Sequence, residues 1–190
     1  MIEKSRETKE TQIDVKLNLY GSGKSNINTG VGFYDHMLEA FAKHAHMDLE
    51  VSCTGDTHID DHHTVEDVGI VIAQALHDAI YPIQNIERFG NATVVMDEAS
   101  VTCDIDLSNR GYLVFELPIG GKVGNFDVEL VEEFFKAFTY NLPLTLHLIY
   151  NRGKNKHHII EAAFKALAVS LRRAVSYNEN AGIPSTKGVL

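Results

Sequence analysis

The chain has 190 residues, 44% of them hydrophobic and 23% charged, enough for one sizeable core or for two small halves that share one. Its formal net charge of −9 argues against non-specific nucleic-acid binding, although a few converging Arg and Lys side chains would still suffice to hold a small anion. No run of roughly eighteen apolar residues occurs, and no cationic stretch precedes an apolar one, so neither a membrane span nor a signal peptide is expected.

In chain order, Ile13, Val15, Leu17 and Leu19 alternate with polar residues and predict a half-buried strand. Gly21-Ser22-Gly23-Lys24 is a turn, and Phe33, Met37, Leu38 and Phe41 recur at helical spacing. Met47 to Cys53 alternates again as a strand, Thr54 to Asp61 is an acidic loop, and Val65 to Ile80 is helical, stopped by Pro82. Beyond it, 92–96, 101–107 and 113–117 read as strands, 127–140 as a helix, 144–149 as a strand and 157–177 as a helix. The segment from Asn178 onward has no periodicity and reads as an arm. Cys53 and Cys103 fall on apolar phases of predicted strands; they read as reduced core thiols, which makes the cytosol the expected compartment.

The order repeats. Asp35–Phe41 aligns with Glu132–Phe138, both ending in Ala-Phe, and Leu49-Glu50-Val51 aligns with Leu146-His147-Leu148. His62-His63-Thr64-Val65-Glu66 then answers His157-His158-Ile159-Ile160-Glu161. The expected fold is therefore α+β: two duplicated, fused halves, 1–89 and 90–190, acting as a single unit. Each is roughly β-β-α-β-α, with a mostly antiparallel sheet and its helices on one face.

The repeated His-His-x-x-Glu motif points to metal. Residues four apart share a helix face, so His62 with Glu66, and His157 with Glu161, can each grip one ion. His63 and His158 are turned away and would reach a different ion. His36 and Glu133 occupy aligned places and are candidate further ligands. Imidazole and carboxylate donors without thiolate suit Mn, Fe, Zn or Ni rather than a structural zinc or an iron–sulfur cluster. Asp60-Asp61 are candidates to orient the ligand imidazoles, or Asp61 simply caps the helix. Gly23-Lys24-Ser25 is not a P-loop, because Asn18 stands where the first glycine is required. Arg88, Arg110, Arg152, Lys154, Lys156 and Lys187 are candidate anion contacts among which composition does not choose. His77, beside Asp78 at a helix end, is expected to be exposed; His44, His46, His58 and His147 are ambiguous.

At Asp35-His36-Met37-Leu38, at His58–Asp67 and at His157–Ala162 the chain resembles the imidazoleglycerol-phosphate dehydratase family. The likeness runs from Arg6–Thr11 to Pro184–Gly188, and with no phosphatase segment ahead of it the monofunctional form is expected. The resemblance implies dehydration of imidazole glycerol phosphate to imidazole acetol phosphate in histidine biosynthesis. It implies two Mn²⁺ ions per active site, other divalent transition metals being possible, at subunit interfaces of a large homo-oligomer, a 24-mer in the family. It implies metal ligands His36, His62, His63, Glu66, His157, His158 and Glu161, with Glu133 standing where many relatives carry histidine.

The substrate positions it implies are Glu10, His44, Arg88, Arg110, Lys165, Ser185 and Lys187, beside the ligand histidines 36, 62, 63, 157 and 158. Arg88, Arg110 and Lys187 would clamp the phosphate. Glu10 is the expected proton carrier, with Glu66 and Glu161 the other carboxylates at the reacting centre. Asn109 replaces a usual glycine before Arg110, which puts that turn's geometry in question. Two rival readings are a dinuclear phosphate-ester hydrolase and a non-enzymatic metal-binding shell.

Overall fold

A computed structural model describes residues 1–190. In the first half, strands β1 (Ile2–Glu7), β2 (Thr11–Asn18) and β3 (Ser25–Asn28) precede helix α1 (Gly32–Ala45), strand β4 (Asp48–Gly55) and helix α2 (His62–Ile80). The second half repeats this with β5 (Phe89–Met96), β6 (Ala99–Asp106), β7 (Tyr112–Glu116), α3 (Glu129–Asn141), β10 (Thr145–Arg152) and α4 (Lys156–Ala174). A small hairpin, β8 (Lys122–Val123) with β9 (Phe126–Asp127), is added before α3.

The sheets have matching orders, β1-β2-β4-β3 and β5-β6-β10-β7. In each the first three strands pair antiparallel, and the edge strand β3 or β7 runs parallel to its neighbour. The mixed α+β fold with two similar, mostly antiparallel halves is as expected; the first half carries two strands, β1 and β3, that the apolar pattern did not show, so that each sheet has four strands. The reason is chemical. The inward positions of β1 are Ile2, Lys4 and Arg6; the strand lies over α2, where Lys4 pairs with Asp78 (2.7 Å) and Arg6 with Asp67 (3.2 Å), so no apolar period exists to read. The short β3 has one apolar residue, Ile27.

Strand β2 buries Ile13, Val15 and Leu17 and exposes Gln12, Asp14 and Lys16, and β4 alternates in step, with Ile13 opposite Cys53 and Val15 opposite Val51. The buried faces meet the helices. Helix α2 packs on β1, β2 and β4, and α4 on β5 and β6, while α2 packs against α3 and α1 against α4. The layers thus run sheet, helices, helices, sheet, and each half supplies what covers the other. Phe134 of α3 sits at the centre, with ring centroids 5.7 Å from Tyr34 of α1 and 4.9 Å from Phe164 of α4. One core cluster of 53 buried residues runs through both halves. Crossing α1 over α4 brings His36 from the first half to the start of a helix in the second.

Candidate metal centre and anion cleft

Helix α4 is started by Asn155, whose side-chain oxygen accepts the His157 backbone N–H at 3.0 Å. With the first turn fixed, His157 Nε2 lies 3.1 Å from Glu161 Oε2, as the four-residue spacing requires. His36 Nε2 of α1 reaches the same oxygen at 3.5 Å. The three ligand atoms lie within 4.8 Å of one another, so two imidazoles and a carboxylate converge on one point. Phe33 meets the His157 ring edge-on at 5.1 Å and holds it in place. Glu161 is almost fully buried. Burial pushes its carboxyl up, but the Lys165 ammonium, bonded to its other oxygen at 2.6 Å, outweighs this and leaves it below the ordinary glutamate range. Glu161 thus faces the cluster as an anion. This donor set fits a divalent transition metal.

The second cluster is at the start of α2. His62 Nε2 is 3.6 Å from Glu66, again the local helical pair. The equivalent of His36 here is Glu133 of α3, but its carboxylate is taken by Lys136 at 3.0 Å, and the three do not converge as the first set does. His63 stands between Asp56, 3.0 Å from Nδ1, and Glu10, 3.8 Å from Nε2. The Asp56 bond holds the His63 ring above its ordinary pKa, and Glu98, 2.8 Å from His158 Nδ1, does the same for His158.

Asp56 and Glu98 were missed in the sequence, where Asp60-Asp61 were candidates to orient the rings, or Asp61 to cap the helix. Asp60 instead accepts the His62 backbone N–H at 2.8 Å, and Asp61, at the N-cap, makes no side-chain cap bond. Being close in sequence to the helix start, Asp60 is drawn to one of the helix's free N–H groups rather than to its rings. Asp56 had a signal, its place seven residues before His63; Glu98 had none, since only sheet pairing brings it to α4.

The cations gather elsewhere. Arg88, Arg110, Ser185 and Lys187 line an open cleft of about 830 Å³, closed on one side by the C-terminal arm. Arg88 is committed within it: Nε and Nη2 donate to Asp106 at 2.7 and 3.1 Å, and Nη1 donates to the Pro184 carbonyl at 2.7 Å. This tethers the arm, so Arg88 shapes the cleft while Arg110 and Lys187 carry its exposed charge. Asn109 takes φ 54°, the left-handed conformation a glycine would adopt, so the turn before Arg110 survives the replacement. Arg152, Lys154 and Lys156 do not line this cleft. His44 faces Lys165 and Arg172; burial first, and then these cations, hold its ring below the ordinary histidine range. Arg172 donates to the His44 carbonyl at 2.9 Å and to His46 Nε2 at 3.0 Å, which ties α1 to α4. His77 is half-buried rather than exposed, stacked on Tyr81 at 4.8 Å.

These features match known proteins. The family model described as imidazoleglycerol-phosphate dehydratase matches residues 29–171. A relative so named from Sulfurovum sp. (strain NBC37-1) is 86% identical, with 100% of both chains covered. Among solved structures, the imidazoleglycerol-phosphate dehydratase of Staphylococcus aureus subsp. aureus N315 is 40% identical with a TM-score of 0.83, over 93% of this chain and 99% of that one. The Pyrococcus furiosus structure, in complex with (S)-C348, is 39% identical with a TM-score of 0.85, over 98% of this chain and 100% of that one. With a family model over most of its length and full-length relatives of high identity, this chain belongs to the imidazoleglycerol-phosphate dehydratase family, the hydro-lyases of that step in histidine biosynthesis.

Proposed function

We propose that the chain dehydrates imidazole glycerol phosphate to imidazole acetol phosphate in a metal-dependent reaction, with two divalent cations, Mn²⁺ by the family resemblance, at each active site. The observation that carries the metal dependence is the convergence of His36, His157 and Glu161 on one point from opposite halves of the chain. Glu133, His62 and Glu66 are the equivalent set in the other half, and His63 and His158 add imidazoles turned toward a second ion. Three donors leave an ion's shell incomplete. The cation cleft also shares no residue with the histidine clusters. Both facts support a site assembled from more than one subunit, within the large homo-oligomer that the resemblance implies. The two halves then act as one functional unit, in the cytoplasm, for which the buried free thiols of Cys53 and Cys103 are the support.

The chemistry that bound cations supply is Lewis acidity: they draw electron density from the imidazole ring, where the substrate has no carbonyl beside its acidic carbon. The chain's own residues do the rest. Arg110 and Lys187, with the Ser185 hydroxyl, bind the phosphate and orient the glycerol arm, and Arg88 holds the arm of the cleft against Asp106. Glu10, exposed on the β1–β2 turn beside His63, is the carboxylate free to take the carbon-bound proton. Glu161 stays ionised at its cluster, where Lys165 keeps it so, and Glu66 is the corresponding carboxylate beside His62. His44 lines the substrate side near Lys165.

The test is mass spectrometry on chelated protein given imidazole glycerol phosphate with and without added Mn²⁺. Loss of one water only when Mn²⁺ is added is the expected result. Equal turnover without any divalent cation would overturn the metal dependence, and phosphate release in place of water loss would favour ester hydrolysis.

A further inference from the structure

His63 and His158 hold equivalent places in the two repeats, and each is gripped at Nδ1 by a carboxylate: Asp56 at 3.0 Å and Glu98 at 2.8 Å. A neutral imidazole carries one ring proton, and a carboxylate only accepts, so the proton sits on Nδ1 and Nε2 keeps its lone pair. Glu98 divides its two oxygens between tasks. Oε1 accepts the backbone N–H groups of Lys154 and Asn155 at 2.9 and 2.7 Å, fixing the loop that enters α4, while Oε2 faces the His158 ring.

The strand ladders show where Glu98 comes from. Leu17 pairs with Leu49 as Ile105 pairs with Leu146, and counting back along β2 and β6 from that match places Glu98 at the position of Glu10. The duplicated carboxylates have taken different places around their histidines. In the first half the hairpin's Glu10 approaches His63 Nε2 at 3.8 Å and Asp56 takes Nδ1. In the second, the hairpin supplies both neighbours: Glu98 at Nδ1, and Asp97 at 3.8 Å from Nε2.

We propose that Glu98, with Asp56 as its counterpart, is a positioning residue that locks His158 in the Nδ1–H tautomer and aims the Nε2 lone pair at a divalent cation. This rests on the metal-dependent reading above. A carboxylate behind a ligand histidine fixes ring orientation and raises ligand basicity, and its loss costs about 10–100-fold in metal affinity.

Glu98→Gln separates the two tasks. The glutamine carbonyl still accepts the Lys154 and Asn155 N–H groups, but its amide group donates toward Nδ1, which drives the ring proton onto Nε2 and occupies the lone pair. The full chain and its Glu98→Gln and Glu98→Ala variants are titrated with Mn²⁺ by equilibrium dialysis with elemental mass spectrometry, and thermal midpoints are recorded in chelator. Expected is Mn²⁺ binding about 10–100-fold weaker in Glu98→Gln with its midpoint near the parent's, and both properties reduced in Glu98→Ala. Parent-like Mn²⁺ affinity in Glu98→Gln, with loss only in Glu98→Ala, would make Glu98 a strut of the loop and overturn the tautomer role. A parent that takes up no Mn²⁺ would sink the metal reading itself, and this proposal with it.

Discussion

The pairs His62–Glu66 and His157–Glu161 were legible because a helix fixes which residues meet four positions on, and the structure brings each within 3.6 Å. The partners that arrive through tertiary structure were not. Asp106 neutralises Arg88, and Glu98 grips His158, across 18 and 60 residues of chain. The electrostatics of the cleft follow from this. With Arg88 engaged by Asp106 and Pro184, the exposed cations there are Arg110 and Lys187. Lys187→Ala is therefore expected to raise KM for imidazole glycerol phosphate by about tenfold with kcat little changed, the signature of lost uniform binding. Steady-state kinetics check it, and a fall in kcat at constant KM would count against the phosphate role.

At the level of elements, the strands that alternate cleanly, β2 and β4, were found, and β1 and β3 were not. Those two are edge strands with no fully buried position, one carrying Lys4 and Arg6 on its inward face and the other a single apolar residue, Ile27, so their pairing depends on a neighbour rather than on their own pattern. The turn between β2 and β3 is pinned from a distance by Asp48 of β4, which accepts the backbone N–H groups of Ser22 and Lys24 at 2.8 and 3.0 Å. These bonds lower its carboxyl to about 2. A depressed carboxyl contributes stability that is fully present above its unfolded pKa, near 3.9, and is lost as pH falls toward about 2. Asp48→Asn should thus lower stability at neutral pH and flatten the fall in stability between about pH 4 and pH 2. Urea unfolding midpoints at pH 7 and pH 3 test this: the gap between the variant and the parent should narrow at the lower pH.

Across the whole molecule, the halves are joined by a central knot of aromatic rings, Tyr34, Phe134, Phe138 and Phe164, all essentially without solvent exposure. Phe134→Ala opens a cavity where three helices meet and is expected to cost about 3–5 kcal/mol. Denaturant unfolding should show that loss in one cooperative transition; two separated transitions would mean that the halves unfold independently. Assembly is the other property of this scale. If ligands to one ion come from neighbouring subunits, chelation removes a bridge between them. Sedimentation velocity with EDTA is expected to show smaller species that Mn²⁺ restores, and an unchanged profile would place the metal away from the interfaces.

The sequence by itself determined the duplication, the α+β class, the helical His–Glu pairs and the family, because these rest on local periodicity and on motifs contiguous in the chain. Tertiary structure alone decided that His36 crosses from one half to meet His157 and Glu161 in the other, that Glu133 is held by Lys136, and that Arg88 is spent on Asp106. Those outcomes depend on which surfaces of the two halves bury one another. Spacing along the chain shows which face of an element is buried, but which surface of the other half covers it is decided only when the layers pack.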